Sequence, residues 1–233
     1  MKSIAGNSNS MMHRPKIIAV GGFSSDVGKT TLMCQLLKAF PGWEAIKTTR
    51  GHYRSCGKDP HACCVSDLLK DEAVLLSGPD ATYAPGKDTG HYWEAGADNV
   101  HWMIATDGQV ERGIKQALAL VRSEGVFIEG NSFTEYIDVD ALIMAGRESK
   151  LKIKSSARRA LDQASAFYLW RDTDAMREPQ EVVSGWIRSA GLKIELEGLP
   201  VYTSDTFPNL VSALRRIRSR PSRVRHSDRK ESR

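Results

Sequence analysis

Residues Gly21-Gly22-Phe23-Ser24-Ser25-Asp26-Val27-Gly28-Lys29-Thr30-Thr31 combine glycines, hydroxyls and one lysine in an order that suits anion chemistry. Glycines let a backbone curl its N–H groups around a phosphate, a lysine at the position of Lys29 reaches the terminal phosphates, and a hydroxyl at Thr30 can ligate Mg²⁺. Gly22, Ser24, Ser25, Asp26, Val27, Gly28, Lys29, Thr30 and Thr31 are therefore candidate contacts to a nucleoside triphosphate. Five residues separate Gly22 from the Gly28-Lys29 pair, one more than in the common pattern, and Phe23 stands where the first glycine usually falls. A second candidate is Glu129 in Val126-Phe127-Ile128-Glu129-Gly130, an acid closing an apolar run; it can hold Mg²⁺ directly or through water, or position an attacking water, while Gly130 permits close backbone approach. Lys47 is a third, able to contact a γ-phosphate or an anionic substrate as a point charge. Arg50, His52 and Arg54 extend that basic character toward a phosphorylated substrate. Cys56, His61, Cys63 and Cys64, in CGKDPHACC, offer soft thiolates with one imidazole. They could hold a soft metal, act as a reactive thiol site, or serve as small apolar filler, and their spacing matches no standard zinc pattern.

These groups need elements that bring them together. Ile17-Ile18-Ala19-Val20 reads as a buried strand before the glycine-rich loop, and LMCQLLKAF reads as the helix after it. Further strands are expected at Glu44–Thr48, Asn99–Ala105, Gly125–Glu129, Ala141–Ala145, Ala166–Trp170 and Gly198–Tyr202. Helices are expected at Thr30–Ala39, Gln109–Ser123, Ser155–Ala164 and Pro179–Ala190. The alternation implies an α/β P-loop NTPase, with a mainly parallel sheet and helices on both faces. In such sheets ligands sit beyond the carboxyl ends of the strands, where the loop after Val20, Lys47 and Glu129 can converge. Asp88 reads either as a second acid near the metal or as a helix N-cap. KLKIKSSARR (150–159) reads as a basic loop entering a helix capped by Ser155 or Ser156, meeting the base or a partner, or simply solvated. Cys34 reads as a helix core residue.

The 233 residues suit one domain, 15–212, with a flexible leader at 1–14, an inserted Cys-containing loop at 49–84 and a basic disordered tail at 213–233. Met11 or Met12 could serve as alternative starts. A 41% hydrophobic and 26% charged composition is that of a soluble globular chain, and no apolar run reaches the ~20 residues of a membrane span. A cytoplasmic location, with no membrane contact, is expected. The net charge of +5 comes from the end of the chain: Arg215 to Arg233 holds nine basic and two acidic residues, leaving 24 basic against 26 acidic elsewhere. Such a tail could bind nucleic acid or an acidic partner through salt-sensitive contacts, or merely aid solubility.

The loop SSDVGKT resembles the deviant P-loop of dethiobiotin synthetase and its amidoligase relatives. Pro85-Gly86-Lys87-Asp88-Thr89-Gly90, running on to Ala95-Gly96-Ala97, is similar to the PGKDS…AGA segment of the MobB family, the nucleotide-binding adapters of molybdopterin-guanine dinucleotide biosynthesis. Lys47 falls where that family has a lysine. The order of loop, lysine, PGKD-AGA and acid-glycine covers about Lys16 to Ala145. KTTRGHY replaces the family's histidine-rich motif, Asn131-Ser132 replaces an aromatic and a lysine, and about two dozen inserted residues precede PGKD. The resemblance implies Mg²⁺-dependent binding and slow hydrolysis of GTP or ATP, a role in molybdenum cofactor maturation, a partner protein and a homodimer. Alternatives are an ATP-dependent ligase of the dethiobiotin-synthetase type and a nucleotide-switched metallochaperone or adapter. Gly146-Arg147-Glu148-Ser149 provides no guanine-reading motif, so the residues leave the base open.

Overall fold

The computed structural model describes residues 14–51, 68, 71–150, 152–172 and 177–218. Eight strands run through it: β1 (Lys16–Gly22), β2 (Glu44–Arg50), β3 (Val74–Ser77), β4 (Val100–Ala105), β5 (Gly125–Glu129), β6 (Ala141–Arg147), β7 (Ala166–Trp170) and β8 (Val201–Tyr202). They form one sheet in the order β3-β4-β2-β5-β1-β6-β7-β8. Every pairing is parallel except that of β3 with β4, which is antiparallel. Seven helices are α1 (Lys29–Ala39), α2 (Pro79–Thr82), α3 (Asp88–Glu94), α4 (Val110–Leu120), α5 (Ser155–Ala160), α6 (Pro179–Ser189) and α7 (Phe207–Arg218), counted among the described residues.

β1 is buried along its whole length because both faces of the sheet are covered. Its side chains alternate: Ile17 and Ala19 join a core with Val110, Ile114 and Ala117 of α4, Ala157 of α5 and Val183 and Trp186 of α6. Ile18 and Val20 point the other way, to Leu32, Met33 and Leu36 of α1, Tyr92 of α3 and Leu210 and Leu214 of α7. Helices thus cover both faces, and each fully buried Leu, Ile or Phe contributes about 1.5–3 kcal/mol. β1 lies between β5 and β6, so the loop after it opens where the strand order turns back on itself, the usual ligand crevice of such sheets.

Several expectations are corrected. The inserted segment 49–84 carries an antiparallel edge strand, β3, and the short α2, so its described part is not a plain loop. The helix expected at Gln109–Ser123 starts as a 3₁₀ turn over Asp107–Gln109 and ends at Leu120. Its expected last residues are drawn off because the Arg122 and Ser123 amides donate to Glu44 Oε1 at 2.6 and 2.7 Å. Ser155 and Ser156 lie inside α5 rather than capping it, since Lys154 takes the N-cap position. The basic tail expected from 213 is helical to 218: Leu214 is 3% exposed, and the Arg215 guanidinium donates to the Ala39 carbonyl and lies over the Phe40 ring. No helix among the described residues is long and apolar enough to cross a membrane.

Candidate functional site

Gly28 adopts φ 78°, ψ 25°, a left-handed conformation that glycine reaches without a Cβ penalty, and it serves as the N-cap of α1. A Cβ there would also meet the Trp170 indole at 2.5 Å. No side chain caps α1, so the first-turn amides of an eleven-residue helix face the loop and are available to an anion. Lys29 folds back along β1, where a Cβ on Gly22 would come within 2.8 Å of Lys29 Cδ. Burial pushes the Lys29 ammonium below its ordinary pKa of 10.5, opposed by Glu129 and reinforced by the Lys47 and Lys154 cations. Phosphate binding restores the charge balance that the lysine lacks. Of the other loop residues, Ser24 and Val27 are buried, Ser25, Asp26 and Thr31 are exposed, and Asp26 has φ 54°.

Glu129 ends β5 two strands from β4 and is 2% exposed. Its Oε1 accepts from Lys47 Nζ at 2.5 Å; its Oε2 accepts from the Thr30 hydroxyl at 3.0 Å and from the Tyr92 hydroxyl. The Thr48 hydroxyl donates to its carbonyl at 2.8 Å. Asp88 closes the group: Oδ1 lies 3.0 Å from Thr30 Oγ1, and Oδ2 lies 2.5 Å from Lys47 Nζ. Burial lowers the pKa of Lys47, but the two carboxylates outweigh it and hold the ammonium above its ordinary value. Burial likewise raises Asp88, yet Lys47 and the Thr30 hydrogen bond bring it below the ordinary aspartate value. Burial and the Glu129 charge push the Tyr92 phenol far up, so it stays a donor. The parallel registers put these groups together: Val20 pairs with Glu129, and Lys47 pairs with Glu129 across the other edge of β5.

A hydroxyl and two carboxylates converging on one cation form a hard-oxygen donor set of the kind Mg²⁺ takes. The ammonium of Lys47 already occupies the cation's electrostatic role, so the residues present fit a divalent ion. Among the described residues no cluster of three or more His, Cys, Asp or Glu side chains has metal-holding geometry. Cys56, His61, Cys63 and Cys64 lie outside the described residues, as do His52 and Arg54. Cys34, whose thiol is pushed up to about 11 by burial, sits half-buried on α1.

Three participants escaped the sequence reading or were left open there. Asp88 is the first residue of α3, with Lys87 as the cap, so its carboxylate serves the Lys47–Thr30 cluster. Tyr92, one turn further on the same helix, reaches Glu129 because i and i+4 share a face. Asn131 clamps the loop: its Oδ1 accepts from Gly22 N and its Nδ2 donates to Gly22 O, both at 2.9 Å. A polar residue straight after the acid-glycine pair was the available signal. Gly130 has φ 146°, and a Cβ there would lie 2.0 Å from Thr48 Oγ1, so glycine keeps the Thr48–Glu129 tie intact.

A glycine-rich loop between the central strand and its helix, backed by an acid-glycine ending the neighbouring parallel strand, defines a P-loop NTPase fold. No protein-family model and no curated protein matches the chain. Among solved structures it is similar to LpxK from Aquifex aeolicus in complex with ATP (18% identity, TM-score 0.42, covering 66% of this chain and 48% of that one). This chain thus spans about half the length of LpxK. It is also similar to HypB from Helicobacter pylori in complex with nickel (11% identity, TM-score 0.46, covering 91% and 92%). A Zn(II)-bound triple mutant of the YjiA GTPase aligns at 14% identity and TM-score 0.40, covering 81% and 57%. Likenesses this distant carry no inference about what this chain binds or does.

Proposed function

We propose that this protein binds a Mg²⁺–nucleoside triphosphate and hydrolyses it slowly, as a MobB-like adapter in cofactor maturation. The observation that carries the nucleotide reading is the convergence of Thr30, Lys47, Asp88 and Glu129 beside Lys29 at the carboxyl end of the central strands. Loop amides and Lys29 would hold the β- and γ-phosphates, and Thr30, Asp88 and Glu129 would hold Mg²⁺, which neutralises charge on the transferring group. Both Glu129 oxygens are engaged as acceptors, which favours a carboxylate that holds and positions over one that takes a proton. Lys47 links the two acids and can stabilise added negative charge from the side of β2. The maturation role rests on the PGKD-AGA resemblance, and the Asp88 carboxylate of that segment reaching the loop threonine supports giving the segment a nucleotide-linked task. Molybdenum chemistry, a partner protein and a homodimer belong to the same proposal, with GTP or ATP as the nucleotide.

Calorimetry with Mg²⁺ and non-hydrolysable ATP and GTP analogues tests it, using wild type and Lys29→Ala. Saturable binding that the substitution weakens about 10–10²-fold is expected. Equal affinity in both proteins overturns the assignment.

A further inference from the structure

A cleft of about 630 Å³ starts at the phosphate loop, where Gly22, Ser24 and Lys29 line it, and runs along the ends of β2 and β5 to the segment leading into α5. Four cations line it, Lys29, Arg50, Lys152 and Lys154, and no carboxylate does so among the described residues. Two stretches far apart in sequence meet here: the end of β2 supplies Arg50, and the residues after β6 supply Lys152 and Lys154. The second stretch is latched to the loop, since Lys154 N donates to the Phe23 carbonyl at 2.9 Å and Lys154 Nζ donates to Ser25 Oγ. Arg50 is oriented by Asp107, to which its guanidinium donates twice. Lys152 has no partner among the described residues, and neither do the hydroxyls of Ser132, Ser155 and Ser156 on the same walls.

Like charges gathered in one concavity repel, so such a lining adds nothing to folding and gains its value when an anion enters. The loop amides and Lys29 account for the nucleotide's phosphates. Arg50, Lys152 and the serines stand on the cleft's other walls, at the end of β2 and after β5 and β6, whereas the indole of Trp170 packs against Gly28. A volume of this size suits a small molecule. We propose that the cleft is a second anion subsite, which takes the phosphate group of a small phosphorylated molecule beside the nucleotide. It rests on the nucleotide reading and gives that reading a substrate class.

The test is calorimetry on the full chain saturated with Mg²⁺ and a non-hydrolysable analogue of ATP or GTP, whichever binds more tightly, so that the γ-phosphate position is filled. Inorganic phosphate and glycerol 3-phosphate are titrated in, with glycerol as the uncharged control. Both phosphates are expected to bind and glycerol is not. Lys152→Ala should weaken phosphate about tenfold, the scale of losing one charge-assisted hydrogen bond, and Lys152→Arg should restore it. The proposal falls if phosphate does not bind the loaded protein, or if Lys152→Ala leaves its affinity unchanged. It also falls if the substitution weakens the nucleotide analogue as much as phosphate, because the cleft then belongs to the nucleotide. Should the analogue itself fail to bind, the nucleotide reading is what has failed. Phosphate titrated into the unloaded chain then decides separately: binding lost in Lys152→Ala sustains the phosphate site, and no binding overturns it.

Discussion

Replacing Glu129 by Gln removes a charge while keeping the shape, and the structure sets what that should do. Glu129 accepts from Lys47, Thr30 and Tyr92. Gln has one acceptor oxygen, which the charged Lys47 donor would claim. The new amide would then face two hydroxyls, and both can adapt: Thr30 still has Asp88 Oδ1 at 3.0 Å, and the Tyr92 oxygen can turn from donor to acceptor. Lys47 keeps Asp88 at 2.5 Å. What is lost is one ion pair reduced to an ion–dipole contact, partly offset by the easier burial of a neutral group, so the fold should lose only about 1–2 kcal/mol. For a domain of this size that is a fall in Tm of roughly 2–8 °C. Function should suffer far more: Mg²⁺ would keep one carboxylate of two, and turnover should drop about 10²–10³-fold, the scale of removing one preorganised electrostatic contributor. Glu129→Leu is the contrast, because it leaves the buried Tyr92 hydroxyl without its acceptor and Lys47 with a single partner, costing about 3–5 kcal/mol. Thermal melts and single-turnover hydrolysis, with nucleotide affinity measured in Mg²⁺ and in EDTA, read these quantities. A Gln variant that hydrolyses at the wild-type rate and keeps the full Mg²⁺ enhancement of binding refutes the role given to Glu129.

Further outcomes follow from the same geometry. Lys29→Ala should weaken nucleotide about 10–10²-fold in calorimetry, the worth of one charged hydrogen bond, without lowering Tm, because burial already disfavours that charge. On the alkaline side nucleotide affinity should fall as pH rises through the lowered Lys29 pKa, earlier than an ordinary lysine at 10.5 would dictate; a profile unchanged up to 10.5 in an alkaline pH series contradicts it. Gly130→Ala should cost about 2 kcal/mol or more, since φ 146° and a contact at 2.0 Å to Thr48 both resist a Cβ, and melts would show it. Burial raises the Glu44 carboxyl, but hydrogen bonds from His101 and the Arg122 and Ser123 amides hold it below 4.5. Its stabilisation is therefore present above that pH and lost as pH falls toward the lowered value, so Glu44→Gln should be less stable at neutrality and show a shallower acid transition, followed by circular dichroism.

The phosphate loop, its flanking strand and helix, and the acid-glycine pair were legible in the sequence because they are local. A glycine-rich turn between an apolar run and a helical repeat encodes its own backbone path, and the two-sided burial of β1 shows in four consecutive apolar residues. Strand order, and with it every partner of those groups, was decided by the tertiary structure. Glu129 lies 99 residues from Thr30 and 82 from Lys47, and hydrogen bonding across two parallel registers alone brings them within 3.0 Å. β3 escaped notice because three half-buried residues and an exposed serine at a sheet edge carry too weak a period, and α7 because its apolar face is interleaved with arginines that lie along the surface. Asp88 could have been a cap or a ligand on local grounds, and its choice of Lys47 and Thr30 was settled by where α3 packs on the sheet. The same holds for Arg50 and Lys152: each is an ordinary charged residue in its own stretch, and a cleft exists because the fold stands the two stretches on opposite walls.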